Sequence, residues 1–159
     1  QTEALTFADK VVVMYDGRVV QMGTPRELFE TPEHTFVGYF IGSPGMNVLA
    51  ADVQGDKAVI GGTQISLGKG FGAPQGQVEV GVRPEFASIA TGDAGLPVTI
   101  KRVEDVGRHK IVRADFQGAE INILAGEGET ISPDMNRVVF DTAGVNVYSN
   151  SWRVTPEVA

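Results

Sequence analysis

Apolar and polar positions follow two different rhythms along this chain, and the change falls near residue 46. Before it, "VVVMY" (11–15) is an unbroken apolar run, the kind that suits a strand covered on both faces. Asp16-Gly17 follows. Glycine accepts the positive φ that a tight hairpin turn demands, so "RVVQM" (18–22) is predicted to be the return strand. Thr24-Pro25 then opens a helix. Threonine is a good N-cap, proline suits the first helical position, and Glu27 completes the spacing of a capping box. Thr31-Pro32 repeats that signal ahead of "HTFVGYFIG" (34–42). Phe36, Val37, Phe40 and Ile41 recur there at i, i+1, i+4 and i+5, which predicts a second short amphipathic helix. "TEALTFAD" (2–9) reads as the last turns of an earlier helix, and Gly42-Ser43-Pro44-Gly45 closes this half of the chain.

Beyond residue 46 helical spacing disappears. Short β-type runs occupy 47–54, 57–61, 63–67, 77–84, 86–90, 97–107, 109–117, 119–125, 136–142 and 145–149, separated by Gly, Asp or Pro. About ten short strands at this spacing predict a closed or nearly closed barrel or a sandwich. The stretch from Gly95 to Gly126 forms a three-strand meander of the kind found in small Greek-key barrels. The expected architecture is mainly β: OB/MOP-like small β-barrels over residues 46–155, preceded over 1–45 by a short α/β remnant of one hairpin and two helices. A lone hairpin cannot bury its own apolar faces, and an exposed one marks an interface or an aggregation hazard. The hairpin is therefore expected to be disordered, refolded against the barrel, or paired with another copy.

Composition narrows the field. The chain has 159 residues, 42% hydrophobic and 21% charged, with 20 glycines and 8 prolines. This is globular, turn-rich material. The net charge of −7 disfavours phosphate backbones, so no nucleic-acid partner is expected. Cysteine is absent, which excludes disulfides and fits a reducing compartment. No apolar run is long enough to span a bilayer. "QTEALTFAD" lacks the order of a signal peptide and an initiator Met, so the chain reads as a piece of something longer.

Few residues carry chemistry. The P-loop pattern is missing. "GGTQISLGKG" (61–70) imitates it, but the glycine spacing is one residue too long and Gly70 stands where a metal-binding Ser or Thr belongs. It reads as a strand, so no ATPase activity is expected of this chain, with no catalytic, cofactor-binding or metal residues. His34 reads as a solvated first-turn residue. Arg108, His109 and Lys110 cluster three bases that either receive an anion or are a solvated turn. In "VGVRPE" (81–85), Pro84 ends its strand, and Arg83 and Glu85 flank it. These three residues are read either as a local clamp or as a dimer or regulatory contact. Gly42, Ser43, Pro44, Met46 and Asn47 read as an interdomain joint, with the Asn47 side chain bonding local backbone. Trp152 reads as a core or barrel-closing aromatic.

"EALTFADKVVVMYDGRVVQMGTPRELFETPEHTFVGYFIGSPGMN" (3–47) resembles the end of the ATPase subunit of ABC importers in the sugar and glycerol-phosphate branch. "VGVRPE" is similar to the hallmark of that family's carboxy-terminal regulatory barrel. The resemblance implies a non-catalytic regulatory and dimerisation domain that follows the end of the ATP-binding domain. It implies ATP and Mg²⁺ in the parent protein and none in this portion. The implied partners are a second copy of the chain, membrane permease subunits and a solute-binding protein. The implied location is cytoplasmic, peripheral on the inner face of the cell membrane. Related barrels in molybdate systems bind oxyanions, which leaves a small-ligand or oxyanion-sensing barrel as the alternative, with residues 108–110 as its seat.

Overall fold

The computed structural model describes residues 9–158; the expected helical turns at 2–9 fall almost wholly outside them. Strands β1 (Val11–Tyr15) and β2 (Arg18–Gly23) pair antiparallel around a turn in which Asp16 and Gly17 both have positive φ, 52° and 73°. The register shifts between Val13 and Met14. Val13 is buried, while Val12, Met14, Val19 and Met22 are at least half exposed. The apolar run is thus covered on one face only, not on both.

Helix α1 (Pro25–Glu30) carries the anticipated capping box. The Glu27 N–H donates to Thr24 Oγ1 at 3.2 Å, and the Thr24 N–H donates to Glu27 Oε1 at 3.0 Å. Helix α2 (Thr35–Phe40) is capped by His34, whose Nδ1 accepts from the Phe36 N–H at 3.0 Å. Val13, Leu28, Val37 and Ile41 form a small core between hairpin and helices. This corrects the expected fate of the hairpin. It is ordered, and it leans on the two helices that follow it.

The remaining strands are β3 (Asn47–Ala50), β4 (Asp52–Gln54), β5 (Lys57–Ile60), β6 (Thr63–Ser66), β7 (Val78–Val82), β8 (Ala87–Ala90), β9 (Leu96–Pro97), β10 (Thr99–Asp105), β11 (His109–Phe116), β12 (Ala119–Gly126), β13 (Arg137–Phe140), β14 (Val145–Ser149) and β15 (Trp152–Arg153). They make four small antiparallel sheets in the orders β15-β14-β7-β3, β4-β5-β6, β8-β13-β9 and β10-β11-β12. Alternation explains how they enclose one core. Along β12, Ile121, Ile123 and Ala125 are buried while Glu120, Asn122 and Leu124 are not. Those three pack with Val112 of their own sheet and with Leu49, Val80, Val138 and Val147 from two of the others. Residues 61–70 hold β6 and loops, in keeping with a strand rather than a phosphate loop.

Trp152 departs from expectation. It lies on an edge strand, 49% exposed, rather than in the core. Among the described residues, no helix is long and apolar enough to cross a membrane.

Candidate functional site

The predicted joint and the "VRP" corner meet where the helices rest on the barrel. Strand β7 ends at Val82, and Pro84, which lacks an N–H, begins a 3₁₀ turn over Pro84–Phe86. Arg83 sits between them and points inward, 4% exposed. Its Nε donates to the Phe29 carbonyl at 2.6 Å. Its Nη1 donates to the Ile41 carbonyl at 2.5 Å and, more weakly, to Gly38 at 3.4 Å. These acceptors lie near the ends of α1 and α2, where helix carbonyls have no partner further along the helix. The guanidinium also lies 4.2 Å from the centroid of the Phe29 ring. Burial pushes its pKa down, and the negative charge of Glu85 opposes that shift.

Within one chain these contacts hold Arg83 between the barrel and the two helices. The arginine grips two helices through their carbonyls and forms no ion pair with Glu85 among the described residues. Pro84 is buried and Glu85 is exposed, so the three residues do not form one patch.

Two further side chains of the β15-β14-β7-β3 sheet grip the same segment. Tyr148 is fully buried and its hydroxyl donates to the Pro32 carbonyl at 2.7 Å. Burial drives this phenol far above its ordinary pKa. Arg153 pairs with Glu33 at 3.2 Å, and its N–H donates to the Glu33 carbonyl at 2.8 Å. The Thr35 N–H donates to the Ser151 carbonyl at 2.9 Å, and the His34 and Trp152 rings meet edge to face at 4.7 Å. His34 is therefore a capping and packing residue, not a solvated one. Partial burial lowers its pKa.

The joint residues serve this contact. Gly42 has φ 114°, and a Cβ there would come within 2.8 Å of Arg83 Nη1. The Ser43–Pro44 peptide is cis. Met46 is buried, with Sδ 3.7 Å from the Tyr148 hydroxyl. Asn47 does not bond local backbone as expected. Its Nδ2 donates to the Asn122 carbonyl at 2.9 Å, and its Oδ1 accepts from the Asn122 N–H at 2.8 Å. It ties β3 to β12 across 75 residues of chain.

The basic cluster at 108–110 spans the end of the β10–β11 turn and the start of β11. Arg108 is in an exposed turn, and His109 pairs with Gly126. Lys110 faces Asp105 across the strands and donates to the Glu129 carbonyl at 3.0 Å. Of the three expected anion-binding side chains, Lys110 is thus engaged by a backbone carbonyl. Among the described residues no group of His, Cys, Asp or Glu is arranged to hold a metal.

Phe29, Tyr148 and Arg153 were not singled out by sequence. Tyr148 and Arg153 partner residues more than 100 positions away, so no local spacing marks them.

Residues 42–86 match the family model described as the MalK OB fold domain. An sn-glycerol-3-phosphate import ATP-binding protein of Agrobacterium fabrum is 35% identical over 142 residues, covering 84% of this chain and 37% of the relative. Its counterpart in Vibrio vulnificus is 38% identical over 120 residues, covering 74% and 32%. That of Bordetella avium is 41% identical over 150 residues, covering 84% and 41%. The chain thus spans about a third to two fifths of the length of the curated relatives it matches. Among solved structures, a cytoplasmic molybdate-binding protein, ModG, superposes with a TM-score of 0.51 at 17% identity, covering 65% of this chain and 95% of that one. It shares the mainly β, OB-like fold. The chain is similar to the carboxy-terminal, barrel-bearing part of ABC importer ATP-binding subunits of the sugar and glycerol-phosphate branch.

Proposed function

We propose that this chain is a regulatory and dimerisation domain of an ABC importer ATP-binding subunit, joined to the end of that subunit's ATP-binding domain. One observation carries the reading. The hairpin and helices present an apolar face outward, and Arg83, Tyr148 and Arg153 fasten them to the barrel on the other side. Such an element transmits position between whatever covers the hairpin and the barrel. In the whole protein the cover is the ATP-binding domain, where ATP and Mg²⁺ are held. The barrel of a second copy then keeps two such domains at high effective concentration after ATP is spent. The solute is a sugar or glycerol-phosphate-like molecule, delivered by a binding protein to permease subunits, with the ATPase on the cytoplasmic membrane face. The oxyanion-sensing alternative has less support, because Lys110 is engaged by the Glu129 carbonyl.

Light scattering across a concentration series tests the reading. Met14 and Val19 are cross-strand partners on the exposed hairpin face. A chain carrying Met14→Glu with Val19→Lys keeps an opposed pair there and wets the surface. We expect both forms to dimerise with the same dissociation constant, because the barrel carries the contact. A dimer lost in the charged variant, or never formed by either chain, ends the dimerisation reading.

A further inference from the structure

A cavity of about 350 Å³ lies between α1 and the barrel, at the small end of the usual range of ligand pockets, roughly 300–1,000 Å³. Phe29, Pro32, Met46 and Phe86 are among its apolar lining residues, and Arg83 and Asn146 are its lining residues with nitrogen-bearing side chains. Arg83 is a buried cation without a counter-ion among the described residues. Its hydrogen bonds go to neutral carbonyls, and its Nη2 is buried with no partner. Buried charges are ordinarily paired, and buried donors ordinarily bonded. The face of Phe29 offsets part of this charge. The one carboxylate lining the cavity, Glu30, is engaged at 2.9 Å by Arg26 in a largely exposed pair.

We propose that this cavity binds a small amphipathic monocarboxylate, with its carboxylate on Arg83 and Asn146 and its apolar body against Phe29, Met46 and Phe86. A single negative charge satisfies the spare guanidinium donor. A multiply charged anion would be opposed by the field of a chain with net charge −7. Access to Nη2 requires a small displacement of the wall, since that atom is closed off from solvent. The ligand would touch α1, the joint and the barrel at once. It would therefore bind the docked arrangement best and shift the population toward it. The site lies within one chain and needs neither a second copy nor an ATP-binding domain, so it stands or falls separately from the dimer.

The probe is benzoate, titrated into the full chain while the Asn146 side-chain amide and the Arg83 Nε–H are followed by ¹⁵N NMR. Both resonances should move saturably, and neutral benzamide should bind at least about tenfold more weakly. Asn146→Asp keeps the shape and reverses the electrostatics, so benzoate affinity should fall by about tenfold or more. Should that variant fail to fold, Thr31→Glu, which also lines the cavity, makes the same test. Unmoved resonances, equal binding of benzamide, or full affinity in the acidic variant would overturn the proposal. Inorganic phosphate moving both resonances where benzoate does not would overturn the amphipathic class.

Discussion

The hairpin-and-helix segment and the barrel bury apolar surface in opposite ways. The barrel core joins twenty buried residues drawn from all four of its sheets. Among the described residues the segment's core has four, and Val12, Met14, Val19, Met22 and Tyr39 are between 50% and 62% exposed. Buried apolar area is the main source of stability, so the barrel is self-sufficient and the segment is not. What holds the segment in place is largely polar: Arg83 on Phe29 and Ile41, Tyr148 on Pro32, and Arg153 on Glu33. An element fixed by directional bonds to one neighbour, with an open apolar face toward another, is suited to coupling the two. Its stability should also be separable from the barrel's.

The largest expected effects come from equal cuts in the two cores. Ile121 and Leu28 are both fully buried. Truncation of such side chains to alanine typically costs about 2–5 kcal/mol. Ile121→Ala should lower the global melting temperature. Leu28→Ala should instead raise amide exchange over residues 11–41 and leave β11 and β12 protected. Equal loss of protection in β11 and β12 in both variants would mean that the molecule is one cooperative unit, and the contrast would collapse.

A smaller change should separate the regions without touching either core. Arg83→Met retains much of the stem's packing and removes the fork, leaving the Phe29 and Ile41 carbonyls without their donor. An unmet buried group costs about 1–3 kcal/mol. The single tryptophan, Trp152, touches His34 at the same contact, so its emission reports on docking. We expect Trp152 to become more quenchable by iodide in Arg83→Met, with barrel exchange unchanged. Wild-type quenching in that variant would show that Arg83 does not hold the segment.

Local rules made the strands, the capping box and the Asp16-Gly17 turn legible, because alternation, capping and turn chemistry act over a few residues. They misjudged the hairpin's cover, since whether a run such as Val11–Tyr15 is buried on one face or two depends on what packs against it. They located the corner at Arg83 but left two roles open. Its partners within the chain, the carbonyls of Phe29 and Ile41, are 54 and 42 residues away. Asn47 failed for the same reason: an asparagine beside a Pro-Gly turn signals a local bond, and its true partner is Asn122. Trp152 was misplaced because size and apolarity point to a core, while its edge position lets it cover His34.

The smallest expected effect concerns protons. His34 caps α2 through Nδ1, which must be unprotonated to accept from the Phe36 N–H. Burial between Tyr15 and Trp152 lowers its pKa below the ordinary 6.5. A histidine whose folded pKa is depressed is charged more readily in the unfolded segment. Its contribution is therefore whole above the unfolded pKa and is lost as pH falls below about 6.5 toward the folded value. Glu79, whose carboxyl burial raises above its ordinary 4.5, works in the other direction. Between about pH 7.5 and pH 5.5 the contribution of His34 falls with pH, and removing its proton site isolates it from that of Glu79. Acidification should weaken docking of α2 and increase exchange over 34–41, while β11 and β12 stay as they were. His34→Asn supplies a strong N-cap that does not titrate, so its exchange in this window should be flat. A slope that survives in His34→Asn would place the proton elsewhere, and a slope shared by β11 and β12 would show that the segment and the barrel respond as one.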